Sequence, residues 1–147
     1  MRMQLILWRH ADAEDGAPDL ERRLTAKGRA DAAAMANWLR QRLPADFDLV
    51  ASPAARARET GEALRKDMRI DKRLAPGAAV NAILATAGWP AGGGTVVLVG
   101  HQPDFGSAVA YLLSGNAVEW PVRKGGLWWL ANENGLLVRA VMSPDLL

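Results

Sequence analysis

The sequence predicts an α/β fold of three layers, in which a mainly parallel β-sheet is flanked by helices and followed by an antiparallel C-terminal hairpin. Short apolar runs alternate with helical patterns along most of the chain, which is typical of a parallel sheet built from βα units. Between the last two apolar runs stands Asn134-Gly135, the strongest local signal for a hairpin turn. The 147 residues suit one domain, which we expect to span residues 1–147.

The first half of the chain contains two predicted strand–helix units. The apolar run Met3–Trp8 is short enough for a strand that is buried on both faces. Thr25 is the predicted N-cap of the helix that follows, and this helix should end just before Pro44. Residues 48–51 form the second strand, and Ser52-Pro53 is interpreted as the N-cap and first position of the second helix.

The second half of the chain follows the same pattern until the terminal hairpin. Its clearest strand is Thr95–Val99, because three valines surround a leucine in a run bounded by glycines. The other predicted elements are an edge strand at 68–74, helices at 76–87 and 103–114, and two late strands at 125–131 and 135–141.

The composition excludes several classes of function. The chain has no cysteine, which excludes disulfides, thiolate metal sites and cysteine catalysis. Its net charge of +2 favours anionic ligands slightly but gives no sign of a nucleic-acid surface. The N-terminal apolar run is too short for a signal peptide, and no run approaches the ~20 apolar residues of a membrane span. We therefore expect a cytoplasmic protein.

Histidine stands at the end of two predicted strands. His10 follows the first strand, and His101 follows Thr95–Val99. Arg9 precedes the first histidine, and Arg56 lies one turn into the helix after the second strand. Because ligands bind beyond the carboxyl ends of the strands in open α/β sheets, we expect these four side chains to meet at one edge.

Two guanidinium groups and an imidazole near a helix N-terminus form an anion site, and arginine binds phosphate oxygens in a bidentate manner. The other histidine then becomes a nucleophile. Cationic neighbours disfavour its protonated form, so we expect His10 to stay neutral near pH 7 and to keep a lone pair for attack. These residues alone leave an alternative open, in which Arg9 and His10 cap a strand and Arg56 is a solvated helix residue.

Five segments, in order along nearly the whole chain, resemble the histidine phosphatase superfamily in its small SixA-type branch. The first carries Arg-His, the second an arginine two places before Leu-Thr, the third a Ser-Pro-x-x-Arg-Ala-x-x-Thr pattern, and the fourth the second histidine. The segments read LILWRHADAE, RRLTAKGRADAAAMANWL, VASPAARARET, VVLVGHQPDF and LVRAVMSP. The resemblance implies a phosphoglycerate mutase-like fold and a phosphatase activity.

The resemblance also implies a role for each matching residue. His10 would be the nucleophile that becomes phosphorylated. Arg9, Arg56 and His101 would bind the phosphoryl oxygens, and Arg22 would be a further contact to phosphate or substrate. No metal ion or other cofactor is implied.

Two departures from the family pattern bear on the chemistry. The glycine that usually follows Arg-His is Ala11 here, and residues 72–89 hold no carboxylate where larger phosphomonoesterases of the superfamily carry a glutamate acid. An ester leaving group needs a proton, which is worth ~10²–10⁴-fold in rate, whereas the labile N–P bond of phosphohistidine needs less help. Asp12 and Glu14 remain as candidates for the proton donor.

The function we expect is a metal-independent phosphatase that acts on phosphohistidine in a protein. The chain has little sequence between its motifs to form a lid, which favours a protein substrate over a small one. Two alternatives stay open: a phosphomonoesterase for sugar or nucleotide phosphates, and a catalytically weak phosphate-binding module. We expect a monomer whose partner is a phosphorylated protein or a small phosphorylated substrate, with no role for nucleic acid or membrane.

Overall fold

One β-sheet of six strands organises the computed structural model, which describes residues 2–147. The strands are β1 (Met3–Arg9), β2 (Asp48–Ala51), β3 (Arg69–Ile70), β4 (Gly94–Gly100), β5 (Leu127–Asn132) and β6 (Leu136–Met142). Their order across the sheet is β3-β2-β4-β1-β5-β6. The first four are parallel, whereas β5 runs antiparallel to β1 and β6 antiparallel to β5. The predicted mainly parallel sheet with antiparallel C-terminal strands is confirmed.

Helices cover both faces of this sheet, as predicted for three layers. They are α1 (Ala26–Arg40), α2 (Ala55–Leu64), α3 (Val80–Ala87) and α4 (Asp104–Ser114). Helices α1 and α2 share one core cluster with the sheet, and α3 and α4 share the other. In the described part of the chain, no helix has both the length and the apolar character required to cross a membrane.

The unbroken apolar sequence of β1 follows from its place between the two helix layers. Ile6 and Trp8 point to the layer of α1 and α2, whereas Leu5 and Leu7 point to the layer of α3 and α4. All four side chains are essentially fully buried. Because successive side chains of a strand face opposite sides, a strand covered on both faces needs apolar residues at every position.

The N-terminus of α1 packs directly against the chain that follows β1. The Gly28 amide donates to Thr25 Oγ1 at 2.9 Å, which confirms Thr25 as the N-cap, and the Thr25 amide donates to the Asp12 carbonyl at 3.0 Å. A Cβ atom on Gly28 would lie 2.0 Å from that same carbonyl oxygen. Glycine is therefore required for this close approach of helix and loop.

The helix after β2 begins later than Ser52-Pro53 predicts. Its first residue is Ala55, and its N-cap position is Ala54. Ser52 Oγ accepts the Ala54 amide at 3.1 Å, so the serine closes a tight turn before the helix instead of capping it.

Aspartate side chains that accept backbone amides also shorten the edge strand and the third helix, one through a local contact and the other through a tertiary one. Asp71 accepts the Arg73 amide and starts a short 3₁₀ turn over Lys72–Leu74, so the strand predicted at 68–74 keeps only its first part. The Asp104 carboxylate accepts two successive amides, at Gly77 and Ala78, which holds that segment as a turn before α3.

The close approach at Gly28 leads to a prediction about stability. We expect Gly28→Ala to lower the free energy of unfolding by about 1–3 kcal/mol, because the new methyl group must push α1 away from the Asp12 carbonyl. Chemical denaturation measures this change. A matched exchange at Ala33, which is exposed on the same helix, reports helix propensity alone, and Ala33→Gly should cost about 1 kcal/mol. A Gly28→Ala variant that is more stable than wild type would contradict this packing.

Candidate active site

The two histidines of the chain lie side by side at the carboxyl end of the sheet. Parallel strands β1 and β4 pair in register up to Arg9 and Gly100, so His10 and His101 are the next residues on adjacent strands. The His10 amide donates to the Gly100 carbonyl at 3.0 Å, which extends the ladder to the histidine itself. The centroids of the imidazole rings are 5.3 Å apart, and the two residues are only 8% and 3% exposed.

A backbone contact fixes the tautomer of His10. Its Nδ1 lies 2.7 Å from the Ala11 carbonyl oxygen. Because a carbonyl can only accept, Nδ1 carries the proton and Nε2 keeps its lone pair. Ala11 has a negative φ, so alanine replaces the usual glycine without backbone strain. Its amide donates to the buried Thr60 hydroxyl at 3.1 Å, which holds the turn after the histidine in place.

His101 is oriented by Ser52, which sequence reasoning treats only as a helix cap. The Ser52 Oγ atom lies 2.8 Å from His101 Nε2, and both residues are buried. On the other side of the ring, Nδ1 is buried with no hydrogen-bond partner among the described residues. Buried polar atoms nearly always have a partner, so this nitrogen indicates a site for a polar ligand.

Arg9 and Arg56 each contain a similar unpaired nitrogen. Arg9 Nη1 donates to the Val122 carbonyl at 2.7 Å, and Arg56 uses both terminal nitrogens on Asp19, at 2.8 Å to its carbonyl and 3.1 Å to Oδ2. In both guanidinium groups Nε is buried and has no partner within the described chain. A buried arginine, Arg56, and a half-buried one, Arg9, each with an unused donor near the two histidines, are suited to bind an anion.

Arg22 joins this site through a residue that sequence reasoning missed. Arg22 Nη1 lies 3.0 Å from Asp19 Oδ1, so one carboxylate bridges Arg22 and Arg56. Arg22 Nε also donates to the Glu14 carbonyl at 2.8 Å. The only signal for Asp19 in the sequence is its place three residues before Arg22, in a polar segment whose path the sequence does not predict.

The two predicted proton-donor candidates differ in their surroundings. Asp12 lies 3.0 Å from Lys124 Nζ and accepts the Thr25 hydroxyl at 2.9 Å, and these hydrogen bonds hold the pKa of its carboxyl below the ordinary value. It is therefore ionised at neutral pH and has no proton to give. The Glu14 carbonyl accepts a hydrogen bond from Arg22 Nε, and the Glu14 amide donates to the Arg23 carbonyl, while the residue itself is exposed. Across residues 2–147, no three His, Asp or Glu side chains cluster as a metal-binding group.

Both histidines are neutral at physiological pH. Burial lowers the pKa of His10 to about 4, against a smaller opposing effect of the hydrogen bond to Ala11, and the positive charges of Arg56 and Arg9 lower it further. Burial and the neighbouring His10 lower the pKa of His101 to about 3. The expected neutral form of His10 is confirmed, but desolvation contributes more than the arginines do.

The depressed pKa values predict how stability depends on pH. In the unfolded chain each histidine takes up a proton below pH ~6.5, whereas in the folded chain it does not until about pH 4 or 3. Stability should therefore fall as the pH drops from 7 to 5, by up to about 2 kcal/mol for each histidine. Urea unfolding at both pH values measures this loss. The double variant His10→Gln/His101→Gln should lose much less unfolding free energy between these two pH values. An equal loss in the wild type and the double variant would contradict burial of neutral histidines.

Comparisons with known proteins identify the family of this chain. A sequence profile described as histidine phosphatase superfamily (branch 1) matches residues 5–78. An uncharacterised protein from Picosynechococcus sp. is 35% identical in an alignment of 139 positions, with a coverage of 85% of this chain and 82% of the relative.

Two solved structures resemble the fold over almost its full length. The protein histidine phosphatase SixA complexed with tungstate has a TM-score of 0.82 at 28% identity, covering 98% of this chain and 99% of the other. A chain from Nakamurella multipartitia, described as phosphohistidine phosphatase SixA, has a TM-score of 0.77 at 29% identity, covering 98% and 97%. This chain therefore belongs to the histidine phosphatase superfamily, is of the SixA type, and is a phosphatase of the hydrolase class with a phosphoglycerate mutase-like fold.

Proposed function

We propose that this protein removes the phosphoryl group from phosphohistidine in another protein, in two steps and without a metal ion. The observation that carries the proposal is the state of His10. Its Nδ1 proton is held by the Ala11 carbonyl, and its pKa is lowered to about 4. A neutral imidazole with a free Nε2 lone pair, set beside an arginine-lined anion site, is suited to nucleophilic attack on phosphorus.

In the first step, His10 Nε2 attacks phosphorus as the N–P bond of the substrate breaks. The electron pair of that bond goes to the leaving imidazole, whose other nitrogen carries a proton, so the product is a neutral histidine. The phosphorylated His10 ring then bears a positive charge, because Nδ1 keeps its proton. The 2.7 Å hydrogen bond to the Ala11 carbonyl stabilises this charge.

In the second step, water attacks the phosphorus atom of phosphohistidine 10. The N–P bond breaks toward Nε2, which regains its lone pair, and both protons of the water remain with the product, which leaves as dihydrogen phosphate. His10 returns to its starting tautomer because Nδ1 never gives up its proton. The resting enzyme therefore needs no further proton transfer before the next cycle.

The other site residues supply charge and position instead of a metal ion. We assign Arg9 and Arg56 to the equatorial phosphoryl oxygens, with His101 Nδ1 as a third donor when Ser52 donates to Nε2. Arg22 is a further contact at the edge of the site. The buried unpaired atoms Arg9 Nε, Arg56 Nε and His101 Nδ1 support these roles, since a bound phosphoryl group would satisfy them.

The state of the nearby carboxylates favours phosphohistidine over phosphate esters. The Asp12 carboxylate accepts a hydrogen bond from Lys124, and the Asp19 carboxylate accepts hydrogen bonds from Arg22 and Arg56. These hydrogen bonds hold the pKa of both carboxyl groups below the ordinary value. Neither carries a proton for an alkoxide leaving group. An imidazole whose other nitrogen already carries a proton leaves as a neutral molecule without such help. The SixA relatives, one of them described as a protein histidine phosphatase, support the same choice.

The proposal also covers the location, the oligomeric state and the partner of the enzyme. We place the enzyme in the cytoplasm as a monomer in which residues 1–147 form one domain, with a phosphorylated protein as its partner. Cell fractionation and light scattering test the location and the oligomeric state.

The function is tested by turnover of two substrates with and without EDTA. We expect hydrolysis of a phosphohistidine protein at a kcat/KM at least 100-fold above that for p-nitrophenyl phosphate, because no carboxyl group protonates an ester oxygen. EDTA should leave both rates unchanged. Loss of activity with EDTA would contradict the metal-free mechanism, and a preference for small esters would favour a phosphomonoesterase.

Variants of α2 provide the matched control for this assay. Arg56→Gln should lower kcat/KM by about 10²–10³-fold, because it removes a buried donor to the transferring group. Arg58 lies two residues further on the same helix but is exposed, and Arg58→Gln should stay within about twofold of wild type. His10→Ala should have no activity. Phosphate binding without turnover in the wild type would instead favour a phosphate-binding module.

A further inference from the structure

The carboxylate of Asp19 forms ion pairs with two arginines of the candidate anion site. It begins a short exposed 3₁₀ turn (Asp19–Glu21), and its side chain is 56% exposed. Its two carboxylate oxygens bind different arginines, Oδ1 with Arg22 at 3.0 Å and Oδ2 with Arg56 at 3.1 Å. The Arg56 side chain is only 6% exposed, so its guanidinium has little contact with water and relies on Asp19 as its counter-charge.

The contact occupies both terminal nitrogens of Arg56, which leaves only its Nε free to donate to a phosphoryl group. Both terminal nitrogens of Arg56 donate to Asp19, one to the carboxylate and one to the backbone carbonyl. Carboxylate and phosphate present oxygens to the guanidinium fork in the same geometry. The Asp19 carboxylate and a bound phosphoryl group therefore compete for part of Arg56.

The loop that carries Asp19 is fixed at its base and exposed at its tip. Ala13 and Leu24 form an isolated antiparallel bridge, and the Glu14 amide donates to the Arg23 carbonyl at 2.7 Å. Glu59 of α2 ties down the same base, because its carboxylate accepts the Leu24 amide at 2.8 Å. Residues 14–21 are all exposed, so the tip can move without disturbing the core.

We propose that Asp19 is a built-in competitor of the phosphoryl group, which releases Arg22 and Arg56 when substrate binds and returns to them as phosphate leaves. This inference rests on the proposed function, because it takes the Arg56 site as the phosphoryl site. Asp19 thereby weakens the binding of free phosphate and speeds its release. It also acts on specificity, since a protein substrate has contacts outside the site to offset the competition, whereas a small anion has none.

In the opposite role, Asp19 would orient Arg56 for the phosphoryl group, and its replacement would change anion affinity in the opposite direction. Replacement of the carboxylate would then weaken anion binding. The hydrogen bond from Arg56 Nη1 goes to the Asp19 backbone carbonyl at 2.8 Å, and a side-chain substitution leaves that bond in place. Arg56 therefore keeps its orientation in Asp19→Asn while one negative charge leaves the site.

The test is calorimetric titration of inorganic phosphate and of tungstate into wild type and Asp19→Asn. We expect Asp19→Asn to bind both anions about 3- to 10-fold more tightly, since a partly exposed carboxylate no longer competes for the arginines. The constant for product inhibition by phosphate should fall by the same factor. Glu21→Gln removes a charge from the same short turn at a residue whose side chain is exposed, and it should shift these constants by less than twofold.

Other outcomes separate this inference from the proposed function. Equal or weaker anion binding by both Asp19→Asn and Asp19→Ala would overturn the competition, even if the enzyme turns over phosphohistidine normally. An effect of Glu21→Gln as large as that of Asp19→Asn would also overturn it, because the change would then reflect overall charge. Tighter binding by Asp19→Asn in a protein that never forms a phosphoenzyme would support the competition and contradict only the proposed catalysis. If neither wild type nor variant binds either anion, both ideas fail.

Discussion

The in-register pairing of β1 with β4 is the constraint on which the candidate site depends. Because the two parallel strands end at the same level, the residue after each strand is a histidine, and the ladder bond from the His10 amide to Gly100 fixes their spacing. A slip of one residue would turn one imidazole to the opposite face of the sheet. The apolar side chains of β1, buried under helices on both faces, oppose such a slip.

The electrostatics of the site follow from that burial. Desolvation keeps both imidazoles neutral, so the positive charge near the two rings comes from arginines, which do not titrate near neutral pH. Arg9 and Arg56 are tied to backbone carbonyls by their terminal nitrogens, which leaves Nε of each unpaired. The folded chain thus holds these two Nε donors in place before any ligand arrives.

Strand ends and arginine positions could be predicted from the sequence because they depend on local patterns. The run LILWRH and the glycine-histidine end of β4 indicated where each strand stops, and parallel topology then brought His10 and His101 together. Asp19 and the Ser52–His101 contact could not be predicted, since both depend on the path of irregular segments. The same reason explains the late starts of α2 and α3, where side chains of Ser52 and Asp104 hold the preceding turns.

The central claim is that Nε2 of His10 attacks phosphorus while Nδ1 stays bound to Ala11. The most direct measurement is ³¹P NMR of the phosphoenzyme, trapped after rapid mixing with a phosphohistidine protein and digested to the peptide that contains His10. The account predicts one phosphoryl group on His10, in the isomer substituted at Nε2. A phosphoryl group at Nδ1, on His101, or on neither histidine during active turnover would contradict it.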